Sequence, residues 1–279
     1  MKISIGTAQW GLNYGLNNFS GKIDNNQIKE IIDFSTQNNI YDFDTSSAYG
    51  DAESKLGKYS NKRLNITTKI VLDNKSEVNE LVLNSLNNIN LKSIYACLIH
   101  NPSYLRKKDG IWFEFLKQKE YGRFNKIGYS IYEPKELFEL LDLGYFPDII
   151  QIPYNIMNRS FETYFEELKN LNIEIHVRSV FLQGLLIEQK LREKFLLVKK
   201  GYWDLYDNWL ALNKLKPLEG CLAHVISQKQ IDKIVVGIDN IFQLKEISEV
   251  YKKIKINTKA PDVLEIKDSN IYDPRKWSF

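Results

Sequence analysis

Asp44, Tyr49, Lys69 and His100 each fall at or just past the end of a predicted β-strand. Asp44 closes Ile40-Tyr41-Asp42-Phe43-Asp44, and Tyr49 follows in Thr45-Ser46-Ser47-Ala48-Tyr49-Gly50. Lys69 closes Leu64-Asn65-Ile66-Thr67-Thr68-Lys69, and His100 closes Ile94-Tyr95-Ala96-Cys97-Leu98-Ile99-His100. In a parallel β/α barrel the carboxyl ends of the strands share one rim, so these four side chains can meet in one pocket. A phenol, an ammonium, a carboxylate and an imidazole together suit proton transfer to or from a carbonyl oxygen. A free tyrosine, with a pKa of about 10, is a poor acid at neutral pH. A neighbouring ammonium favours the phenolate, so Lys69 is expected to bring Tyr49 toward the working range. Asp44 is expected to keep the lysine charged and aimed. His100 is expected to donate a hydrogen bond to the oxygen as negative charge builds there. Strand alternation puts Asp42 on the same face as Asp44. One of the two serves Lys69 and the other takes a structural partner.

The elements that must position these residues alternate short strands with longer helices, the rhythm of parallel βα units. Eight strands are predicted: Ile3–Thr7, Tyr41–Asp44, one ending at Lys69, Ile94–His100, Lys126–Ser130, Asp148–Ile152, Ile173–Arg178 and Lys233–Gly237. The intervening helices are predicted at Gln27–Gln37, from Asp51 as N-cap, at Ser76–Asn87, at Trp112–Lys119, from Pro134, and at Phe161–Lys169. A long helical stretch ending near Gln228 and a helix at Leu244–Ile254 complete the set. The expected fold is therefore α/β, a (β/α)8 TIM barrel in a single domain spanning residues 1–279, with 257–279 as a C-terminal tail. About 250 residues suffice for such a barrel. Length alone also allows two domains, but no linker or composition shift divides the chain. The tail lacks periodicity: it wraps the barrel, with Trp277 and Phe279 lining or capping something, or it is disordered.

Hydrophobic residues at 43% and charged residues at 26% are ordinary for a globular enzyme. A net charge of +3 is too small to imply a nucleic acid or membrane partner. No apolar run approaches the ~20 residues of a membrane span, and the N-terminal apolar stretch is too short for a signal peptide. Cys97 and Cys221 could pair, but two buried thiols in a reducing cytoplasm is the preferred reading. The histidines His100, His176 and His224 and the cysteines lack ligand spacing, so no metal is expected. Trp10, Tyr14, Trp112, Tyr154 and Met157 either line a substrate pocket or simply pack. Trp10 and Tyr14, which follow the first strand at the rim, are the stronger candidates. Arg159 is expected to pair with an acidic neighbour.

At these residues the chain resembles the aldo-keto reductase superfamily. Asp44-Thr45-Ser46-Ser47-Ala48-Tyr49-Gly50-Asp51-Ala52-Glu53 is similar to its signature, Thr67-Thr68-Lys69 to its lysine motif, and Leu98-Ile99-His100-Asn101-Pro102 to its histidine motif. Gly6-Thr7-Ala8-Gln9-Trp10-Gly11, Gly128-Tyr129-Ser130 and Gln151-Ile152-Pro153-Tyr154-Asn155 resemble its first, fifth and sixth strand ends. Val236-Gly237-Ile238-Asp239-Asn240, with Gln243 and Glu246, resembles its cofactor segment. The likeness runs from Ile3 to about Val250. It implies Asp44, Tyr49, Lys69 and His100 as catalytic residues and an NAD(P)(H) cofactor lying extended across the barrel mouth. By motif position the implied cofactor contacts are Gly6, Thr7, Trp10, Asp44, Ser130, Gln151 and Arg178. Ser179, Phe181, Gly184, Gly237, Asp239, Gln243 and Glu246 continue that set. Trp10, Tyr14, Tyr49, His100 and Tyr154 are the implied substrate contacts.

Three departures bear on function. Many family members have an aromatic residue where Arg178 stands. A planar guanidinium can stack on nicotinamide instead, or contact a substrate carboxylate or phosphate. Ile131 stands where an asparagine commonly follows the fifth-strand serine, which removes one carboxamide contact. NADP is the family default, but Asp239 would repel a 2′-phosphate and accept hydrogen bonds from a free ribose, which favours NAD. The resemblance thus implies a cytoplasmic oxidoreductase interconverting a small-molecule carbonyl and an alcohol. Two alternatives are a cofactor-binding regulatory scaffold with little turnover and a sugar epimerase with no net redox change. Asn13, Asn155 and Asn158 prompt a polar, sugar-like substrate, and a monomer or homodimer both fit.

Overall fold

The computed structural model describes every residue except 17, 19, 74–76, 108–109, 196–197, 199, 255–257 and 278–279. Phe279, Asn257 and Ser76, all named in the sequence expectations, lie outside the described residues. Eight strands, β1 (Ile3–Gly6), β2 (Asp42–Asp44), β3 (Asn65–Ile70), β4 (Ile94–Ile99), β5 (Phe124–Ser130), β6 (Ile149–Pro153), β7 (Glu174–Arg178) and β8 (Ile231–Gly237), form a closed barrel in chain order. All eight pairings are parallel, and β8 closes onto β1. The expected (β/α)8 barrel is the observed fold, in a single domain.

The described helices are α1 (Ala8–Gly11), α2 (Asn25–Gln37), α3 (Ala52–Gly57), α4 (Val78–Ile89), α5 (Ile111–Glu120), α6 (Pro134–Asp142), α7 (Phe165–Asn170), α8 (Gln189–Lys194), α9 (Lys200–Leu212), α10 (Pro217–Ser227), α11 (Ile241–Lys253) and α12 (Ser269–Tyr272). They show why periodicity was readable. In α2, Ile28, Ile31, Ile32 and Ser35 are buried, and the Asp24 carboxylate accepts from the Asn26 and Gln27 N–H groups. Such a cap stabilises a helix by about 1 kcal/mol. Asp51 was expected to cap α3 and does not; its carboxylate instead pairs with Lys55 at 3.4 Å. The long helix expected to end near Gln228 is broken into α8, α9 and α10. Pro217 cannot sit inside a helix without losing a hydrogen bond, so it opens α10. Lys214 bends the chain before it with a φ of 55°.

The main apolar core lies between strands and helices. Inside the barrel the apolar contribution is small: Ala96, Leu98 and Ile149 form a separate cluster. Polar layers lie on either side of that plug. On the amino-terminal side, Lys233 pairs with Asp42 at 2.6 Å, and Lys126 pairs with Glu174. Asp42 is thus the aspartate with the structural partner. The carboxyl-terminal side holds the candidate site.

The segment after α11 packs onto the barrel. Arg159 donates to the Pro261 carbonyl at 2.9 Å and pairs with Asp262 at 3.2 Å, the acidic neighbour expected for it. Tyr202 donates to the Leu264 carbonyl at 2.8 Å, and Ala260 and Leu264 are buried. Among the described residues no helix is long and apolar enough to cross a membrane.

Candidate active site

Strand register sets the site. Asp44 is level with Gly6 on β1 and Thr67 on β3, and Gln151 is level with Ser130 on β5. Lys69 projects one step further along β3, beside Leu98 of β4. The turn bearing Tyr49 is fixed by a contact that only glycine allows. A Cβ on Gly11 would lie 1.7 Å from the Tyr49 carbonyl oxygen, and Gly50, at φ +57°, faces the Gly11 carbonyl. The two turns therefore lock backbone to backbone and hold the phenol over the barrel.

Lys69 and Asp44 form a buried ion pair at 2.5 Å. The lysine also donates to the Thr45 carbonyl at 2.9 Å, and Gln151 donates to the other Asp44 oxygen at 2.6 Å. The Lys69 ammonium lies 5.2 Å from the centre of the Tyr49 ring, without a hydrogen bond to its hydroxyl. The Tyr49 ring meets His100 edge-on, with centroids 5.8 Å apart.

The electrostatics correct one expectation. Burial, and then the Asp44 charge, push the Tyr49 phenol well above the ordinary tyrosine range. Arg178 pulls it back, while the Lys69 ammonium is paired with Asp44. Tyr49 is therefore held protonated, as a proton donor. Burial lowers Lys69, and its bond to Asp44 opposes that shift. Burial, aided by Lys69 and Arg178, pushes His100 down to about 4, so the imidazole is neutral at neutral pH.

Ser46 decides which nitrogen of that neutral ring carries the proton. Its Oγ lies 2.9 Å from His100 Nδ1 and 2.8 Å from the Lys69 carbonyl oxygen. That carbonyl already accepts from the Ser47 N–H at 2.9 Å, and the Ala48 N–H donates to Ser46 Oγ at 3.1 Å. The Ser46 proton goes to the Lys69 carbonyl, whose second lone pair accepts it, so Ser46 Oγ accepts from the Nδ1–H of His100. Ser46→Ala is expected to change the imidazole ¹⁵N shifts away from a single Nδ1–H form. It is also expected to lower kcat about 3–10-fold, the worth of one neutral hydrogen bond, with KM little changed. Unaltered ¹⁵N shifts would remove Ser46 from that role. The sequence offered its hydroxyl three places before Tyr49, but no spacing rule marks it.

A cavity of about 430 Å³ opens on this cluster. Its walls include all four of Asp44, Tyr49, Lys69 and His100, with Gly6, Ser130 and Gln151 beside them. The β7 end contributes Arg178, Ser179, Phe181 and Gly184, and the β8 end contributes Gly237, Asp239, Gln243 and Glu246. Tyr14 also lines it. Residues not anticipated from sequence are Gln9, Tyr132, Gln183 and Glu188. Ser179, Leu182 and Gln183 all hold positive φ, at 59°, 47° and 54°. Left-handed backbone outside glycine costs of order 1 kcal/mol or more each, and strain of this kind gathers at ligand sites.

Three expected contacts and the sugar-like cue do not hold. Trp10 is fully buried, edge-on to Phe43 at 6.2 Å, because α1 turns it beneath the rim. Thr7 is likewise buried and outside the cavity wall. Tyr154 is buried with its hydroxyl on Glu162 at 2.7 Å and its ring stacked on His224 at 5.2 Å. Trp112 and Met157 also belong to the core. Asn155 and Asn158 are buried, and the Asn155 carboxamide bonds the backbone of its own loop. Asn13 does not line the cavity either.

The sequence matches the Aldo/keto reductase family over residues 2–268. No curated protein matches it significantly. The holo form of an aldo-keto reductase from Bacillus halodurans superposes with a TM-score of 0.71 at 16% identity, covering 95% of this chain and 95% of that one. Its apo form gives 0.71 at 20% identity, with 87% and 85% covered. A Pseudomonas aeruginosa structure assigned to the aldo-keto reductases gives 0.68 at 17% identity, with 90% and 89% covered. At such identities the structures establish the fold, and the sequence match establishes the family. This chain belongs to the aldo/keto reductase family and is an NAD(P)-dependent oxidoreductase.

Proposed function

We propose that the protein interconverts an aldehyde or ketone and its alcohol, with Tyr49 moving the proton. The observation that carries this is the convergence of Asp44, Tyr49, Lys69 and His100 on one cavity wall, with Lys69 clamped to Asp44 at 2.5 Å. A nicotinamide cofactor, when bound, supplies the hydride for reduction. The cavity suits such a group. Gln151 gives its amide N–H to Asp44, which leaves its Oε1 buried without a partner among the described residues. The Oε1 of Gln9 is left in the same state. An amide N–H donor such as a carboxamide would satisfy either one. Ser130 and Gln151 are the proposed carboxamide contacts. Ser179, Phe181 and Gly184 are proposed along the phosphates, and Gly237, Asp239, Gln243 and Glu246 at the adenosine end.

In reduction, His100 borders the carbonyl site edge-on to Tyr49, and the phenol of Tyr49 gives its proton to the oxygen. A developing alkoxide is a far stronger base than a phenolate, so even a phenol with a raised pKa transfers downhill. In oxidation, the same path runs backwards. A panel of aldehydes, ketones and aldoses, followed by NADH and NADPH oxidation, tests this reading. Absence of turnover with both nucleotides across the panel would overturn it. The cytoplasm is the proposed compartment, because Cys97 and Cys221 are buried free thiols.

Asp239 supports a preference for NAD. It is half-buried, and it accepts from the Gln243 amide at 3.2 Å. Burial raises it, while Gln243 and Gln9 pull the other way. A 2′-phosphate beside that carboxylate would be repelled. Asp239→Ser is expected to shift the NADPH/NADH affinity ratio about tenfold toward NADPH, roughly 1.4 kcal/mol. Fluorescence titration with each nucleotide measures it, and an unchanged ratio refutes the role.

A further inference from the structure

Arg178 closes β7 inside the cavity, and among the described residues no carboxylate pairs with it. The two fully buried arginines each hold a carboxylate: Arg159 lies 3.2 Å from Asp262, and Arg192 lies 2.8 Å from Asp207. Arg178 forms no such pair among the described residues. Its one polar contact there is a long one, from Nη2 to the Ile131 carbonyl at 3.4 Å.

The side chain is nevertheless held. Its guanidinium carbon lies 4.0 Å from the centre of the Tyr132 ring. The same ring takes Arg275 at 3.2 Å, and Arg275 is gripped by the buried Asp273 at 2.6 Å. Stacking engages one face of a guanidinium and leaves its in-plane N–H fork unspent. Tyr132 therefore fixes the fork without satisfying it.

The location makes the missing anion informative. Asp44 is already neutralised by Lys69 and bonded by Gln151. Glu188, Asp239 and Glu246 line the same cavity, yet none pairs with Arg178. The charge of Arg178 bears on Tyr49, Lys69 and His100, so it sits at the proton-transfer end. An uncompensated cation beside the Lys69–Asp44 pair is unfavourable unless a ligand brings the opposite charge.

We propose that Arg178 takes an oxyanion of the substrate, a carboxylate or phosphate, so that the preferred substrate is an anionic carbonyl compound. This rests on the carbonyl-reducing function proposed above. The shared chemistry is a forked pair with two oxygens of one group. The other source of such a group is the cofactor's own pyrophosphate.

Matched substrates separate these sources: succinate semialdehyde against butanal, glucuronate against glucose, and glyceraldehyde 3-phosphate against glyceraldehyde. The wild-type kcat/KM is expected to favour the anionic member of at least one pair by about 10–100-fold. Arg178→Gln is expected to abolish that ratio, and Arg178→Lys, which keeps the charge but loses the fork, to retain part of it. Nucleotide affinity, read by fluorescence titration, is expected to fall less than the substrate ratio does. If Arg178→Gln weakens NADH and NADPH binding while the anionic-to-neutral ratio stays fixed, the pyrophosphate is the partner and the proposal fails. Equal turnover within every pair also overturns it. If no pair is turned over, the redox reading has failed. Calorimetry with succinate, inorganic phosphate and the nucleotide then decides alone: succinate or phosphate binding that is lost in Arg178→Gln while nucleotide binding persists supports the anion site, and loss of nucleotide binding alone, or no binding of either anion to wild type, refutes it.

Discussion

Replacing Tyr49 with phenylalanine is expected to lower kcat for carbonyl reduction by about 10²–10⁴-fold, the usual worth of a positioned general acid. The change is clean because of how the phenol is held. Its ring is placed by the Gly11–Gly50 backbone contact, by the edge of His100 and by the Lys69 ammonium below it. Phenylalanine keeps all of these. The hydroxyl has no hydrogen-bond partner among the described residues, so its removal orphans nothing. Thermal stability and nucleotide affinity should therefore stay close to wild type while turnover collapses. The pH profile gives a second reading. Tyr49 is held protonated well past neutrality, so reduction should be flat through neutral pH. An acid limb should come from His100, neutral above about 4 and charged below it, where it would face Lys69 and Arg178. Undiminished turnover in the Tyr49→Phe protein would remove the mechanism.

The barrel was legible because its signals are local and repeated. Short apolar runs ending in a polar residue, alternating with helices spaced like Ile28, Ile31 and Ile32, leave few other folds. The four reactive residues were legible for the same reason, since each ends a strand or closely follows one and the barrel rim gathers strand ends. What failed depended on direction rather than position. Trp10 follows β1 at the rim, but a single turn of helix aims it into the core. Tyr154 lies one residue past the end of β6, and its hydroxyl turns to Glu162 instead of the cavity. Hydrogen-bond partnership across the chain was equally invisible. Ser46 reaches His100 across 54 positions, and Gln151 reaches Asp44 across 107. Type and spacing did place Lys69 with Asp44, but they could not show how strongly burial and the Asp44 charge raise Tyr49.

The second large effect is expected at that ammonium, in stability as well as rate. Lys69→Met keeps most of the length of the side chain and removes the charge. Asp44 would then stay buried, bonded by Gln151 but with no cation beside it. Breaking a buried pair from one side costs about 3–5 kcal/mol. A typical domain holds only about 5–15 kcal/mol in total. The single variant should therefore lose about a fifth or more of its resistance to denaturant. It shows as a lower midpoint at unchanged slope. Asp44→Asn in the same chain removes the stranded charge. Replacing a buried pair by neutral groups of similar volume is often close to neutral for stability. The double variant should accordingly recover most of the midpoint while its turnover stays as low as that of Lys69→Met. Those two outcomes separate the roles of the pair. If the ion pair served the fold, stability would not return when both charges go. If it serves the chemistry, activity would not return when stability does. A Lys69→Met protein as stable as wild type would refute the cost of the stranded charge, and a double variant that turns over carbonyls normally would refute the role in the chemistry.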